Sequence, residues 1–360
     1  MHFTEKFLYH IWDAQHIMKN LKTISGKPVS VMFQGRWNTD EGPDFKESIL
    51  NLNGKVIRGD IEIHRKSYDW IIHKHSENKK FNNVILHVVY EHNSKYTHTI
   101  NENGDKIEIM ELQNFLNEDI TKLLKIYSDE KFKQSDKFCD FFAGLDIETT
   151  KLILSNFGKK RLEKKIKRFT AELYFTDFDQ LLYQGIFEAL GYSKNKFQML
   201  QLALKYPYTR FKEYFYKGMT KDELISILLC GTGLINHLPV SFPIEFKNKW
   251  QEIYSKQKFN KEILDIDWSL FRIRPINHPA IRILQAANFI YESLKDSYFY
   301  DIVRLFSFPR ETFNKINFKN KIYSFFQSKS EYLPEKYTLG MTRIDTILIN
   351  IVLPLVILYA

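Results

Sequence analysis

A chain of 360 residues with 44% hydrophobic and 15% aromatic content folds over most of its length and can bury one large core or two ordinary ones. Its two cysteines, Cys139 and Cys230, exclude a disulfide framework and a cysteine metal quartet, and fit a reducing, cytoplasmic setting. With 52 basic and 43 acidic residues the net charge is +9, an excess that is partly concentrated along the chain.

The first residues, Met1 to Lys6, lack a basic stretch leading into an apolar core and do not read as a signal peptide. A helix is expected over Glu5 to Lys19. Short β-type runs follow at 29–33, 44–52, 55–64, 84–90 and 98–100, the last joined through Asn103-Gly104-Asp105 to 107–109. Asn53-Gly54 signals a type I′ hairpin, because both central residues of that turn need positive φ. The pattern assigns an α+β domain to residues 1–126 and a polar, lysine-rich linker to 127–144.

Residues 145–360 read as a mainly helical domain. Leu162, Ile166, Phe169 and Leu173 form an apolar stripe at helical spacing, and Ala280 to Leu294 reads the same way after Asn277-His278-Pro279. Cys230-Gly231-Thr232-Gly233 reads as a tight helix junction. The last 17 residues, 344–360, carry Asp345, Asn350 and Pro354 and are short for a bilayer crossing, so a buried helix and no membrane partner are expected. A chain that stops on bare apolar residues also reads as truncated.

The chemistry concentrates in Gly42-Pro43-Asp44-Phe45 and in Gly59-Asp60-Ile61-Glu62-Ile63-His64. Residues two apart on a strand share a face, so Asp60, Glu62 and His64 form one polar row while Ile61 and Ile63 point into an apolar layer. Pairing across the Asn53-Gly54 turn returns the chain toward Asp44. Two carboxylates on adjacent strands can then hold one hard cation through oxygen. A solvated acidic strand face is the plainer alternative.

Pro-Asp, a gap of 17 residues and Glu62-Ile63-His64 resemble the signature of the PD-(D/E)XK nuclease superfamily, with histidine at the usual lysine position. The resemblance implies a restriction-endonuclease-like mixed sheet with flanking helices. It implies Mg²⁺ or Mn²⁺ held by Asp44, Glu62 and the Ile63 carbonyl, with His64 as base or water orienter. The very-short-patch mismatch endonucleases of that superfamily also pair Pro-Asp-Phe with histidine and a His/aromatic-rich segment, here Tyr68 to His75, but carry a cysteine-rich zinc site that this chain lacks.

A wider set resembles a bacterial family known as a domain of unknown function, across essentially the whole chain. It comprises Asn38, Gly42 to Phe45, Glu62 to His64, Ser67, Asp69-Trp70, His73, His75, Val84 to Val89, Arg272, Arg274-Pro275 and Asn277. Members of that family continue beyond the point where this chain stops.

Of 11 histidines, His64, His73, His75, His87 and His92 fall within 29 residues. His73-x-His75 is spaced for a metal on a strand and not on a helix. Zinc is the lesser expectation, and His87 within Val84 to Val89 reads as a hydrogen-bonded core histidine. Glu5, Asp60, Asp69, His73, His75 and His87 are the accessory candidates. Lys159, Lys160, Arg161, Lys164, Lys165 and Arg168 lie on one helix, and Arg272 and Arg274 form a second cluster with Arg282. Each set suits phosphate contact, a solvated face or a buried ion pair. Two functions fit these residues: a divalent-metal-dependent nuclease acting on nucleic acid, or a catalytically inactive nuclease-like protein that binds or scaffolds.

Overall fold

The structure, a computed structural model, describes residues 3–127, 142–239, 242–259, 262–306, 314–327 and 332–360. The chain divides into two compact units, Met1–Tyr174 and Phe175–Ala360. The expected linker, 127–144, falls largely outside the described residues.

The first unit opens with helix α1 (Glu5–Ala14), whose Phe7, Leu8, Ile11 and Trp12 recur every three or four residues and are all buried. It ends five residues short of the expected Lys19, because Gln15 turns left-handed at φ 56°. Eight strands follow: β1 (Leu21–Lys22), β2 (Pro28–Phe33), β3 (Arg36–Trp37), β4 (Phe45–Leu52), β5 (Lys55–Lys66), β6 (Val84–Glu91), β7 (His98–Ile100) and β8 (Lys106–Glu111). They form one sheet in the order β1-β2-β4-β5-β6-β8-β7, with β3 paired to β4. Neighbours are antiparallel up to β5, which then runs parallel to β6, as β6 does to β8. The sheet is therefore mixed, and the expected α+β architecture is the one observed.

The Asn53-Gly54 turn carries φ of 52° and 84° and pairs Leu52 with Lys55, as a type I′ hairpin requires. The hairpin sets β5 at the centre of the sheet. Its odd-numbered Ile61 and Ile63 are fully buried with Phe45, Leu86, Val88 and the apolar face of α1. Gly59 precedes the polar row for a steric reason. A Cβ there would stand 2.6 Å from the Asn83 carbonyl oxygen and 2.3 Å from Ile85 Cγ2, so a larger residue would push β6 away.

Among the described residues this unit also holds α2 (Asp69–Ile72) in the β5–β6 connection and α3 (Ile120–Tyr127) after the sheet. The long α4 (Ile147–Glu172) is capped by Asp146, which accepts from the Thr149 amide. Its outer turns are exposed, and burial begins at Arg168 and Phe169. Of the expected stripe, Phe169 is buried while Leu162, Ile166 and Leu173 are half-buried. Glu172 Oε1 receives Arg36 at 3.1 Å and Arg168 Nε at 3.0 Å.

The second unit is mainly helical over its described residues: α5 (Phe178–Leu190), α6 (Lys196–Lys205), α7 (Tyr208–Tyr216), α8 (Lys221–Cys230), α9 (Ile244–Lys256), α10 (Pro279–Ser293), α11 (Tyr298–Phe306), α12 (Lys315–Phe326) and α13 (Met341–Ile347). A π-helical stretch, Leu348–Val352, then leads into α14 (Leu353–Tyr359). Helix α10, expected from its apolar run, is its most buried element, with every residue from Pro279 to Ile290 enclosed. Cys230 ends α8, burial pushes its thiol up to about 12, and Gly233 takes φ 72° in the junction that follows.

Met341–Tyr359 is the one helical run, among the described residues, long and apolar enough to cross a membrane, and 39% of its apolar window is buried. Its Ile351 packs where Gly185 of α5 leaves no Cβ, and Ile344, Ile347 and Leu355 are enclosed in the unit.

Candidate metal centre

The polar row on β5 is not a solvated face. Asp60, Glu62 and His64 are as buried as the core, because the 67–83 connection folds back over them. That connection is anchored by Trp70, whose indole donates to the Ile100 carbonyl at 3.0 Å. Trp70 joins Phe81, Val84 and Ile107 in a small apolar cluster. At its start, Ser67 and Asn93 bond to each other through the Ser67 hydroxyl, the Asn93 amide and the Asn93 side chain.

After α2 the chain passes through His73 and reverses at Lys74, held left-handed at φ 57°, before a short 3₁₀ turn at His75–Glu77. The reversal turns both imidazoles toward β5. A one-residue spacing read as strand geometry is thus met by a turn.

Four donor atoms converge there. His64 Nε2 lies 3.1 Å from His73 Nδ1, 3.3 Å from His75 Nε2 and 3.4 Å from Glu62 Oε1. His75 Nε2 lies 3.2 Å from the same Glu62 oxygen. The three imidazole donors fall within 4.8 Å of one another. A tetrahedral ion with bonds of about 2.0–2.1 Å sets its ligands about 3.3–3.4 Å apart; these four separations lie near that value, while the group whose donors all fall within 4.8 Å of one another comprises the three histidines without Glu62. His64 and His75 are buried and His73 is exposed, so the group opens to solvent on the His73 side.

Behind it, His64 Nδ1 lies 2.9 Å from Nε2 of the fully buried His87, the residue in register with Glu62 on β6. Burial holds the imidazoles neutral: His75 is lowered to about 4, His87 to about 3, and His64 further still. Neutral imidazole is the form that binds metal.

On the other side of Glu62 stands Asp44. Its Oδ2 accepts from the Ile63 amide at 2.9 Å, and its own amide donates to Glu62 Oε2 at 3.2 Å. Ile63 therefore faces Asp44 with its amide. The Tyr9 hydroxyl also bonds the Asp44 carboxyl, and Asn38, through its side-chain amide, ties down the turn at Asp40, Glu41 and Pro43.

Burial first and Glu62 second push Asp44 up to about 8. Glu62 is raised to about 8 by burial, with Glu5 and Asp60 adding to it. Glu5, half-buried at the start of α1, is raised by burial and partly lowered by His73. No lysine or arginine forms an ion pair with Asp44 or Glu62 among the described residues, and a buried carboxylate cluster of this kind is what a cation relieves.

Other expected residues sit apart from the four donors. Asp60 accepts from the Glu47 amide at 3.0 Å and from the Asn83 side chain, and burial raises it to about 6. Asp69 receives the Lys66 amide at 3.0 Å. Lys159, Lys160, Arg161 and Lys164 are exposed on α4, and Lys165 is half-buried. Arg168 departs from that face: it is buried and directed at Glu172. Arg272 and Arg274 are exposed on the loop before α10, with Arg272 4.9 Å over the Phe271 ring. Tyr9 and Trp70 were not singled out by sequence. Tyr9 lies one helical turn after Glu5, a spacing that places both on the same side of α1.

Fold and site together define an α+β protein with a helical second unit and a candidate metal centre on its central strand. The chain belongs to the family described as "Protein of unknown function (DUF2851)", whose family model matches residues 5–360. No curated protein and no solved structure matches it.

Proposed function

We propose that this protein is a divalent-metal-dependent phosphodiesterase acting on nucleic acid, with Glu62, His64, His73 and His75 as the ligands of its ion. The carrying observation is the convergence of three imidazole donors within 4.8 Å of one another, with Glu62 Oε1 3.4 Å from His64 Nε2 and 3.2 Å from His75 Nε2. Three imidazoles and a carboxylate suit Zn²⁺ or Mn²⁺, whereas Mg²⁺ is served by oxygen ligands such as Asp44 with Glu62. When bound, the ion would neutralise charge developing on phosphorus and, by taking a fifth position beside its four protein donors, would activate a water.

The rest falls to the chain. Asp44, whose carboxyl burial and Glu62 raise without an ion, becomes the acceptor for a proton of the attacking water once the ion relieves the cluster. The Ile63 amide and the Tyr9 hydroxyl fix its orientation. His64, with Nδ1 turned to His87 and Nε2 to Glu62, is assigned to the ion and not to the water. Exposed Lys159, Lys160, Arg161 and Lys164 are candidate backbone contacts.

A second reading has its own observation. Three imidazoles and a carboxylate are also a donor set that structural zinc takes, so the ion would pin the 67–83 connection to β5 in a binding or scaffold protein. Favouring catalysis is the presence beside the ion of Asp44, Glu5 and Tyr9, which a structural staple has no use for.

The test is cleavage of linear, nicked, mismatched and single-stranded DNA, and of RNA, by full-length protein loaded with Mn²⁺, Zn²⁺ or Mg²⁺. Cutting that Asp44→Asn loses while still holding one ion per chain supports the phosphodiesterase. No cutting by protein that carries its ion sinks it and leaves the staple.

A further inference from the structure

In the helical unit a second charged group lacks its counterpart. Arg282, in the opening turns of α10, is 1% exposed. Its Nε has no partner among the described residues, and its one side-chain hydrogen bond goes to Gln285 Oε1. Gln285 in turn donates to the Tyr337 carbonyl, which fixes it in place. The guanidinium carbon lies 5.4 Å from the ring centroid of Tyr192, and that of Arg343, from α13, lies 3.7 Å from the same centroid. Tyr192 is held left-handed at φ 55° directly after α5, a conformation a tyrosine takes only when its surroundings enforce it.

Two arginines therefore meet at one ring, within each other's field, with no carboxylate paired to either among the described residues. Arginine cannot escape by losing its proton, as a buried lysine can. A ring face attracts a cation but offers the Nε–H no acceptor. A buried guanidinium left so is strongly unfavourable unless an anion completes it.

We propose that Arg282, Arg343 and Tyr192 frame an oxyanion site in the helical unit that takes a phosphate group. Phosphate matches the guanidinium fork, presenting parallel oxygens to Nε and a terminal nitrogen. Arg343, half-exposed, gives the route in from solvent. The site is independent of the metal centre and of the reaction proposed there.

Calorimetric titration of inorganic phosphate, sulfate and acetate into full-length, chelator-treated protein tests it. One phosphate per chain is expected, with affinity weakened about tenfold or more in Arg343→Gln. Arg282→Met, which removes the buried charge but keeps most of the volume, should melt at or above wild type in phosphate-free buffer and lose the rise in Tm that phosphate gives wild type. Absence of phosphate binding at millimolar concentration, or an Arg343→Gln protein that binds as wild type does, overturns the proposal. Acetate binding more tightly than phosphate overturns the choice of ligand. Should Arg282→Met fail to fold, the half-exposed Arg343→Gln decides alone.

Discussion

His87 backs His64 across the parallel pair β5–β6, its Nε2 2.9 Å from His64 Nδ1, so that His64 presents Nε2 to Glu62 and His75. A ligand histidine held through its other nitrogen is fixed in tautomer and ring orientation. Replacing His87 by leucine fills the volume and deletes the acceptor. Metal affinity should fall about 10- to 100-fold, read by competition with a chromophoric chelator, with the stoichiometry unchanged. Unaltered affinity would mean that His87 only packs.

Four-coordinate binding has its own signature. Protein loaded with Co²⁺ should show the intense visible absorption of a tetrahedral ion, and Glu62→Gln, His73→Ala and His75→Ala should each weaken or abolish it. A pale, six-coordinate spectrum would shift the ion toward Asp44 and Glu62, as the nuclease resemblance implies.

Removing the metal should loosen one connection more than the sheet. Residues 67–83 meet β5 through His73 and His75 and through the Asn83 carbonyl, which accepts from the Asp60 amide, while Trp70 and Ser67 hold the stretch to Ile100 and Asn93. Amide exchange in that stretch should rise on chelation, while the central β5 and β6 amides stay protected. Equal exchange with and without metal would remove the ion from any part in holding the loop.

Much of this fold was legible. The Asn53-Gly54 turn and the alternation around Ile61 and Ile63 were sufficient to set β4 and β5 side by side and to gather Asp44 near Glu62. What periodicity does not carry is depth. It assigns Glu62 and His64 to a shared face but not the 67–83 connection that covers that face, because the cover is a tertiary contact anchored by Trp70. Nor does spacing reveal the reversal at Lys74, where a non-glycine residue adopts positive φ under tertiary constraint. Arg168 was legible as one of a basic run, and only the buried Glu172 four residues on, with Arg36 arriving from β3, turns it inward.

That inward pair makes Glu172 a stability residue. Its carboxyl is held below its ordinary value by Arg168 and Arg36 despite complete burial. Glu172→Ala would remove the buried carboxylate that Arg36 and Arg168 share, and removal of one partner from a buried pair costs about 3–5 kcal/mol. Urea unfolding should register a loss of that order, whereas the exposed pair of Lys151 with Glu148 should contribute under about 1 kcal/mol. Comparable losses from Glu172→Ala and Glu148→Ala would refute the assignment.

His278 supplies a pH test in the helical unit, away from the metal ligands. It caps α10, its Nδ1 accepting from the Ala280 amide at 3.3 Å, and burial first, then His237, lowers it to about 4. The acceptor exists only in the neutral ring. Because the folded value lies below the unfolded one, near 6.5, its stability contribution is complete above pH 6.5 and is lost as pH falls toward 4. Since the ring is partly exposed, the loss should be on the order of 1 kcal/mol after solvent screening. His278→Asn keeps a capping acceptor that does not titrate. Between pH 7.5 and pH 4.5 the Tm of wild type should therefore drop relative to that of the variant, titrations common to both cancelling in the difference. Parallel profiles would show that His278 carries no proton-linked stability.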